Sequence, residues 1–345
     1  MTYRTLGRTG IKVSPFCLGA MMFGGWGNPD HDDSIRVIHR AIDGGINFID
    51  TADVYGAGES EEIGGKALVG RRDDVVLATK FHGQMGEGPN NRGNSRRWII
   101  AEVENSLRRL QTDYIDLYQV HRPDPATDIE ETLSALSDLI RQGKVRAIGS
   151  STFPAHEIVE AQWAAERRGY ERFRCEQPPY SIFARGIEAD VLPMCQKYGM
   201  GVIPWSPLAG GWLSGKYRKG MDQPTDGRAA RAPGRFDLSK PDNQRKLDAI
   251  EALDKIAANA GVPLIHLALA FVINHPAVTS AIIGPRTMDQ LEGQIAAMEV
   301  SLDAETLDAI DEICPPGTDL VPGEMGWTPP AIAAAWRRRR PASAR

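Results

Sequence analysis

The chain has 345 residues, of which 42% are hydrophobic and 25% charged, an ordinary globular balance long enough to bury a large core without disulfide help. Its formal net charge of −5 argues against a general nucleic-acid binder, although a cofactor phosphate would need only local positive charge. Four cysteines, Cys17, Cys175, Cys195 and Cys314, form no C-x-x-C pair, which argues against a zinc site or a thioredoxin-like redox pair, and no metal is expected.

In chain order, residues 3–14 read as two short strands around Gly7-Arg8-Thr9-Gly10, a hairpin signal. An apolar run at 16–18 precedes a helix pattern over 33–43. Strand and helix then alternate: 47–49 with 59–68, 75–78 with 95–110, 114–120 with 129–141, 145–148 with 154–168, and 172–175 with 187–198. Strands at 201–203 and 278–283 and a helix at 287–298 complete eight strand-then-helix units. Helices end on turn chemistry at Gly44-Gly45, Gly70, Gly143, Gly169 and Gly199. This repetition implies parallel strands joined by crossovers, and eight units in one chain of this length fit a closed (β/α)8 TIM barrel with an N-terminal β-hairpin and extra helices.

The rival is a doubly wound open sheet, which would carry a G-x-G-x-x-G turn after its first strand. Gly19-Ala20-Met21-Met22-Phe23-Gly24 does not match it, and Gly56-Ala57-Gly58 has the wrong spacing. Residues 206–240 interrupt the pattern with a Gly- and Pro-rich stretch carrying Lys216, Arg218, Lys219, Arg228, Arg231 and Arg235. A loop that long in a compact domain is expected to be functional or disordered. Helical stretches follow at 243–258 and 263–273. Residues 1–314 are taken as one barrel and 315–345 as a tail, whose arginines at 337–340 read as a solvated terminus. Residues 1–10 are polar and read as no secretory leader, and no apolar run of about 18 residues occurs. With Cys17 and Cys175 read as buried reduced thiols, a cytoplasmic location without membrane or nucleic-acid partners is expected.

Active sites of such barrels lie at the C-terminal ends of the strands. There the 47–49 strand runs into Asp50, with Tyr55 just beyond; the 75–78 strand runs into Thr79-Lys80; and the 114–120 strand runs into His121. Taken singly, Asp50 reads as a helix cap, Lys80 as a surface lysine, His121 as a partner for a loop carbonyl and Tyr55 as packing against Gly56. Jointly, they point to chemistry. A tyrosine has a pKa of about 10, which a nearby ammonium lowers, and a carboxylate keeps the ammonium in place and charged. With a neutral histidine orienting a carbonyl, such a set donates a proton to the carbonyl oxygen while a hydride reaches the carbon.

The run Gly45-Ile46-Asn47-Phe48-Ile49-Asp50-Thr51-Ala52-Asp53-Val54-Tyr55-Gly56 resembles the signature of the aldo-keto reductase superfamily, and the resemblance extends over nearly the whole chain. It implies a catalytic tetrad of Asp50, Tyr55, Lys80 and His121, and NADP(H) held along the barrel rim without a Rossmann domain. The resemblance assigns the nicotinamide amide to Gly149-Ser150-Ser151-Thr152, where Thr152 replaces the family's Asn, and to Gln177. Trp205 takes the place of an aromatic residue that stacks on the nicotinamide ring. Ser206-Pro207-Leu208-Ala209-Gly210-Gly211 resembles a pyrophosphate strap in which glycines let backbone N–H groups approach phosphate oxygens.

Gly284-Pro285-Arg286-Thr287, with Gln290 and Gln294, resembles the adenosine site, with Gln294 where relatives often carry Asn. Arg286, seconded by Arg235, is read as a partner for a 2′-phosphate, which favours NADPH over NADH. Ala20, Met21, Asp50 and Lys216 complete the implied cofactor set. Met21, Met22, Trp26, Phe81, Trp98 and the 206–240 loop are expected to line a pocket for a small carbonyl substrate. The implied activity is NADPH-dependent reduction of an aldehyde or ketone. The alternatives are an NADP-binding regulatory protein like a channel auxiliary subunit, with weak turnover, or a sugar or alcohol dehydrogenase working in the oxidative direction. A homo-oligomer is left open.

Overall fold

Eight of the short apolar runs pair side by side because each alternates its side chains between two apolar layers. In the computed structural model, which describes residues 2–223, 225, 227–321, 323, 326–329 and 332 (for 227 and 228 the backbone alone), a hairpin opens the chain. Its strands β1 (Arg4–Thr5) and β2 (Lys12–Val13) are antiparallel. Eight parallel strands follow: β3 (Phe16–Gly19), β4 (Phe48–Asp50), β5 (Val76–Phe81), β6 (Ile115–Val120), β7 (Val145–Ser151), β8 (Cys175–Gln177), β9 (Gly201–Val202) and β10 (Ala281–Ile283). Their order in the sheet is β10-β3-β4-β5-β6-β7-β8-β9. Backbone bonds from Thr279 N to Val202 O (2.8 Å) and from Ile282 N to Pro204 O (2.9 Å) join its two edges. The result is the expected (β/α)8 barrel.

The helices are α1 (His31–Asp43), α2 (Glu59–Ala67), α3 (Arg96–Leu110), α4 (Ile129–Arg141), α5 (Ala155–Arg168), α6 (Val191–Tyr198), α7 (Gly227–Arg231), α8 (Pro241–Asn259), α9 (Leu264–Ile273), α10 (Met288–Ile295) and α11 (Ala304–Ile313). Asp30, Ser95, Asp128, Thr287 and Asp303 cap α1, α3, α4, α10 and α11 through their side-chain oxygens. Gly169 and Gly199 end α5 and α6 in the left-handed conformation that only glycine adopts at no steric cost. Among the described residues no single helix is long and apolar enough to cross a membrane.

Inside the barrel, Cys17, Phe48, Ala78, Leu117, Ala147, Cys175, Ile203 and Ile282 form one apolar layer, closed from below by Leu6 and Val13 of the hairpin. The outward neighbours Leu18, Ile49, Leu77, Tyr118, Ile148 and Val202 pack under the helices. Because the period is two, the next inward positions on β4, β5, β6 and β8 are Asp50, Lys80, Gln119 and Gln177. A polar layer therefore sits directly on an apolar one, at the C-terminal end of the barrel.

Three expectations need correction. The 172–175 strand sits further along, at Cys175–Gln177, because the ladder with β7 starts at Gly149↔Cys175. The 278–283 strand shortens to Ala281–Ile283, since Val278 N turns back to His275 O (2.9 Å). The 206–240 stretch is not one open loop: α7 and two 3-10 turns, Ala209–Ser214 and Pro233–Arg235, lie within it. Trp212, Tyr217 and Phe236 stack there with centroids 4.9–5.5 Å apart and give the stretch its own small core. The start of the tail packs back on the barrel, with Leu320 N donating to Phe183 O (2.9 Å) and Gly186 N to Asp319 Oδ1 (2.9 Å). The arginines at 337–340 lie outside the described residues. All four cysteines are buried and free.

Candidate active site

The turn after β4 carries Tyr55 through Gly56 (φ 59°), Ala57 (φ 54°) and Gly58 (φ 101°), three successive left-handed residues. At Gly58 a Cβ would lie 2.7 Å from the Arg109 Cδ, so this turn accepts only glycine there. Arg109 in turn binds Glu61 (2.6 Å) and Glu102 (2.5 Å), and Thr79 donates to Glu61 (2.6 Å), which ties α2 and α3 to β5 behind the turn. Tyr55 is thus held by a rigid support rather than hung on a free loop.

At the centre, the fully buried Lys80 Nζ donates to Asp50 Oδ1 (2.5 Å), to Thr51 O (2.7 Å) and to Tyr55 Oη (3.4 Å). Asp50 Oδ2 accepts from Gln177 Nε2 (2.9 Å) and Gln119 Nε2 (3.2 Å). The His121 ring stands edge-on to Tyr55 with centroids 5.7 Å apart, and Trp26 flanks the phenol at 5.9 Å. Phenol, ammonium, carboxylate and imidazole are therefore gathered at one end of the barrel, so the single-residue readings of Asp50 as a cap and Lys80 as a surface lysine fail.

Burial acts on each group differently. It opposes the Lys80 charge, but Asp50 and Tyr55 outweigh it and the ammonium ends above its ordinary value. Burial pushes the Tyr55 phenol up, and the nearby Lys80 offsets only part of that. The sequence-based expectation of a lowered phenol is corrected accordingly: desolvation outweighs the ammonium. Burial, followed by the charges of Lys80 and Arg122, holds His121 well below its usual value, so it is neutral.

From this cluster one groove of about 710 Å³ runs across the rim. Its lining includes Met21, Asp50, Tyr55, His121, Gln177, Trp205, Ser206, Pro207, Leu208, Gly210, Lys216, Arg235, Gly284, Arg286, Gln290 and Gln294. Ala20, Ser151, Thr152 and Thr287 are not part of that lining. Ala20 O accepts from Ser60 (2.8 Å), Ser151 Oγ donates to Gln177 O (2.9 Å), Thr152 Oγ1 accepts from Trp205 Nε1 (3.3 Å), and Thr287 caps α10. Phe81 is not a pocket wall either. It points outward from β5 and packs on Tyr118 at 4.9 Å, and Trp98 is buried at the start of α3.

The groove suits an extended dinucleotide. Lys216, Arg235 and Arg286 supply positive charge away from Tyr55, and the buried Gln294 Oε1 has no partner among the described residues. That oxygen is an acceptor waiting for an N–H such as a purine amine offers. The strap at 206–211 fits less simply. Ala209 N, Gly210 N and Gly211 N bond to Ser206 O, Ser206 Oγ and Leu208 O within the strap itself (2.7–2.8 Å). Those N–H groups are therefore already engaged, which corrects the expectation that they are free to approach phosphate oxygens. Among the described residues no cluster of His, Cys, Asp or Glu is placed to hold a metal.

Among the site residues absent from the sequence-based set are Gln119 and Arg122. Gln119 was legible: alternation from Leu117 turns it inward toward Asp50. Arg122, in the groove wall beside His121, carried no signal, since a cation after a strand reads as solvated.

The sequence profile described as "Aldo/keto reductase family" matches residues 15–315. An uncharacterized oxidoreductase of Bacillus subtilis (strain 168), YrpG, is 41% identical over 344 residues, covering 96% of this chain and 100% of that protein. A probable voltage-gated potassium channel subunit beta of Oryza sativa subsp. japonica is 38% identical over 321 residues, covering 91% and 96%. The aldo-keto reductase YhdN of Bacillus subtilis (strain 168) is 38% identical over 318 residues, covering 91% and 93%.

Proposed function

This chain belongs to the aldo/keto reductase family, and from that premise we propose that it is an NADPH-dependent reductase of aldehydes or ketones with Tyr55 as its proton donor. The observation that carries the reading is the buried Asp50–Lys80–Tyr55 chain of contacts, at 2.5 and 3.4 Å, beside a groove of about 710 Å³ that Asp50, Tyr55 and His121 line. Asp50, Gln177, Trp205, Ser206, Pro207, Leu208, Gly210, Lys216, Arg235, Gly284, Arg286, Gln290, Gln294 and Met21 would hold that cofactor. Ala20, Ser151, Thr152 and Thr287, which do not line the groove, would support those contacts through their neighbours Ser60, Gln177, Trp205 and α10. Arg286 at the start of α10 supports the 2′-phosphorylated form. When bound, the reduced nicotinamide supplies a hydride to the carbonyl carbon.

Tyr55 supplies the matching proton to the carbonyl oxygen. Its raised pKa keeps the phenol loaded at neutral pH, and Lys80 stabilises the phenolate left behind. Asp50, steadied by Gln119 and Gln177, keeps Lys80 charged and in place. Neutral His121 donates a hydrogen bond that orients the carbonyl. Proton transfer from one positioned group is worth roughly 10²–10⁴-fold. Tyr55→Phe should therefore fold, bind NADPH and lose turnover by that order; undiminished turnover removes Tyr55 from the mechanism.

The likeness to a protein named as a potassium channel subunit favours a second reading, a nucleotide-binding regulatory protein with slow turnover. The complete four-group cluster favours the enzyme, and a single-turnover measurement on bound NADPH separates the two. Profiling with NADP⁺ and alcohols decides the working direction. The free buried cysteines support a reducing compartment such as the cytoplasm.

A further inference from the structure

Arg122 is a half-buried cation that the mechanism above does not use. It lines the groove beside His121 and Tyr55. Its Nη1 donates to the His121 carbonyl (2.5 Å) and lies 3.5 Å from Ser151 Oγ. Its guanidinium carbon is 5.9 Å from the centre of the Trp205 ring, near the outer limit for a cation–π contact. No hydrogen bond from its Nε or Nη2 and no ion pair to a carboxylate exists among the described residues. A guanidinium has five donors in a planar fork matched to two oxygens, and here most of that fork is unused.

The acidic groups around it are bonded elsewhere and form no ion pair with it. Asp50 is committed to Lys80, and Glu176, on the outward face of β8, is bonded to Ser150 (2.5 Å) and Phe153 N (3.1 Å). Burial pulls the Arg122 guanidinium below its ordinary value, and Tyr55 and Glu176 offset only part of that. Nor does the barrel place Arg122 with the groove's other cations. It follows β6, which lies opposite β10 in the ring of eight, whereas Lys216 and Arg235 follow β9 and Arg286 follows β10.

We propose that Arg122 is a specificity-determining residue, and that the carbonyl compound reduced here carries a carboxylate a few bonds from its carbonyl. The carboxylate pairs with the Arg122 fork while Tyr55 and His121 take the carbonyl oxygen. Met21 and Met22, which line the groove, cover the carbon chain between them. This rests on the reductase reading and adds the substrate class.

The test compares succinate semialdehyde with its methyl ester, using NADPH and the intact protein, in wild type, Arg122→Gln and Arg122→Lys. A charge-assisted pair predicts that wild type favours the acid by roughly 10–100-fold in kcat/KM, carried mainly by KM. In Arg122→Gln the acid-to-ester ratio should fall to within about threefold of one, and Arg122→Lys should retain part of the preference, as a point charge does. The wild-type comparison needs no variant and stands even if Arg122→Gln misfolds. Equal rates on acid and ester in wild type, or an unchanged ratio in Arg122→Gln, overturn the assignment and leave the reductase reading intact. NADPH affinity falling in Arg122→Gln as far as the acid's KM rises would give the guanidinium to the nucleotide and also overturn it. No turnover of either compound by NADPH-bound wild type that still reduces other aldehydes would overturn the substrate class alone; no turnover of any aldehyde or ketone would sink both readings.

Discussion

Replacing Lys80 by methionine keeps the length of the side chain and removes its charge. Three contacts vanish at once, to Asp50 Oδ1 at 2.5 Å, Thr51 O at 2.7 Å and Tyr55 Oη at 3.4 Å. Removing one member of a buried ion pair costs about 3–5 kcal/mol, because the remaining charge is left without its partner. Here Asp50 keeps the amides of Gln119 and Gln177 on Oδ2, which places the expected loss near the lower bound. Unfolding entropy for a chain of this size is roughly 0.7 kcal/mol/K, so the thermal midpoint should fall by roughly 4–5 °C. Activity should suffer more, by roughly 10²–10⁴ in kcat, since Lys80 is the charge that makes a Tyr55 phenolate tolerable in a buried site. Calorimetry and NADPH-oxidation rates on the same preparations measure the two effects. Adding Asp50→Asn should bring stability back to within about 1 kcal/mol of wild type, because no uncompensated charge then remains, while activity stays lost. A single variant with turnover within about threefold of wild type would refute the role given to Lys80.

Because His121 is held neutral and the Tyr55 phenol is raised, kcat/KM should stay level from about pH 6 to 9 and decline only beyond the ordinary tyrosine value of about 10. A limb centred near the ordinary histidine value would contradict this. Glu176 is buried and its carboxyl is pushed up to about 7. The folded chain then holds a proton that the unfolded chain releases near 4.5, so this group's contribution to stability is present at low pH and lost as pH rises through about 7. Glu176→Gln lacks that term, and its stability relative to wild type, read from urea midpoints, should improve by about 2–3 kcal/mol between pH 5 and 8; a constant difference would show that Glu176 does not titrate there. Arg286→Ala should weaken NADPH binding by roughly 10–100-fold and NADH binding by less than about threefold, measured by fluorescence titration. Equal losses for both nucleotides would place Arg286 away from the 2′-phosphate.

The barrel was legible in the sequence because its signals are local. Period-two apolar runs, helix patterns and glycine punctuation each occupy a few residues, and their alternation admits few topologies. The same alternation, applied to Phe48, Ala78 and Leu117, already points Asp50, Lys80 and Gln119 into one layer. Strand ends were less legible: Val278 has strand propensity, but its N–H is taken by a turn to His275. Three aromatic residues spaced through 206–240 gave that loop a core that no periodicity announces.

What the chain determined by itself is which side chains arrive at the open end of the barrel, since backbone geometry fixes inward and outward positions residue by residue. What only the tertiary structure decided is how those groups behave. Desolvation reversed the direction expected for Tyr55, the strap N–H groups were used within the strap, and Arg122 became a half-buried cation facing a groove. Each depends on what lies within a few ångströms in space, and electrostatic energy follows that separation and its dielectric rather than distance along the sequence.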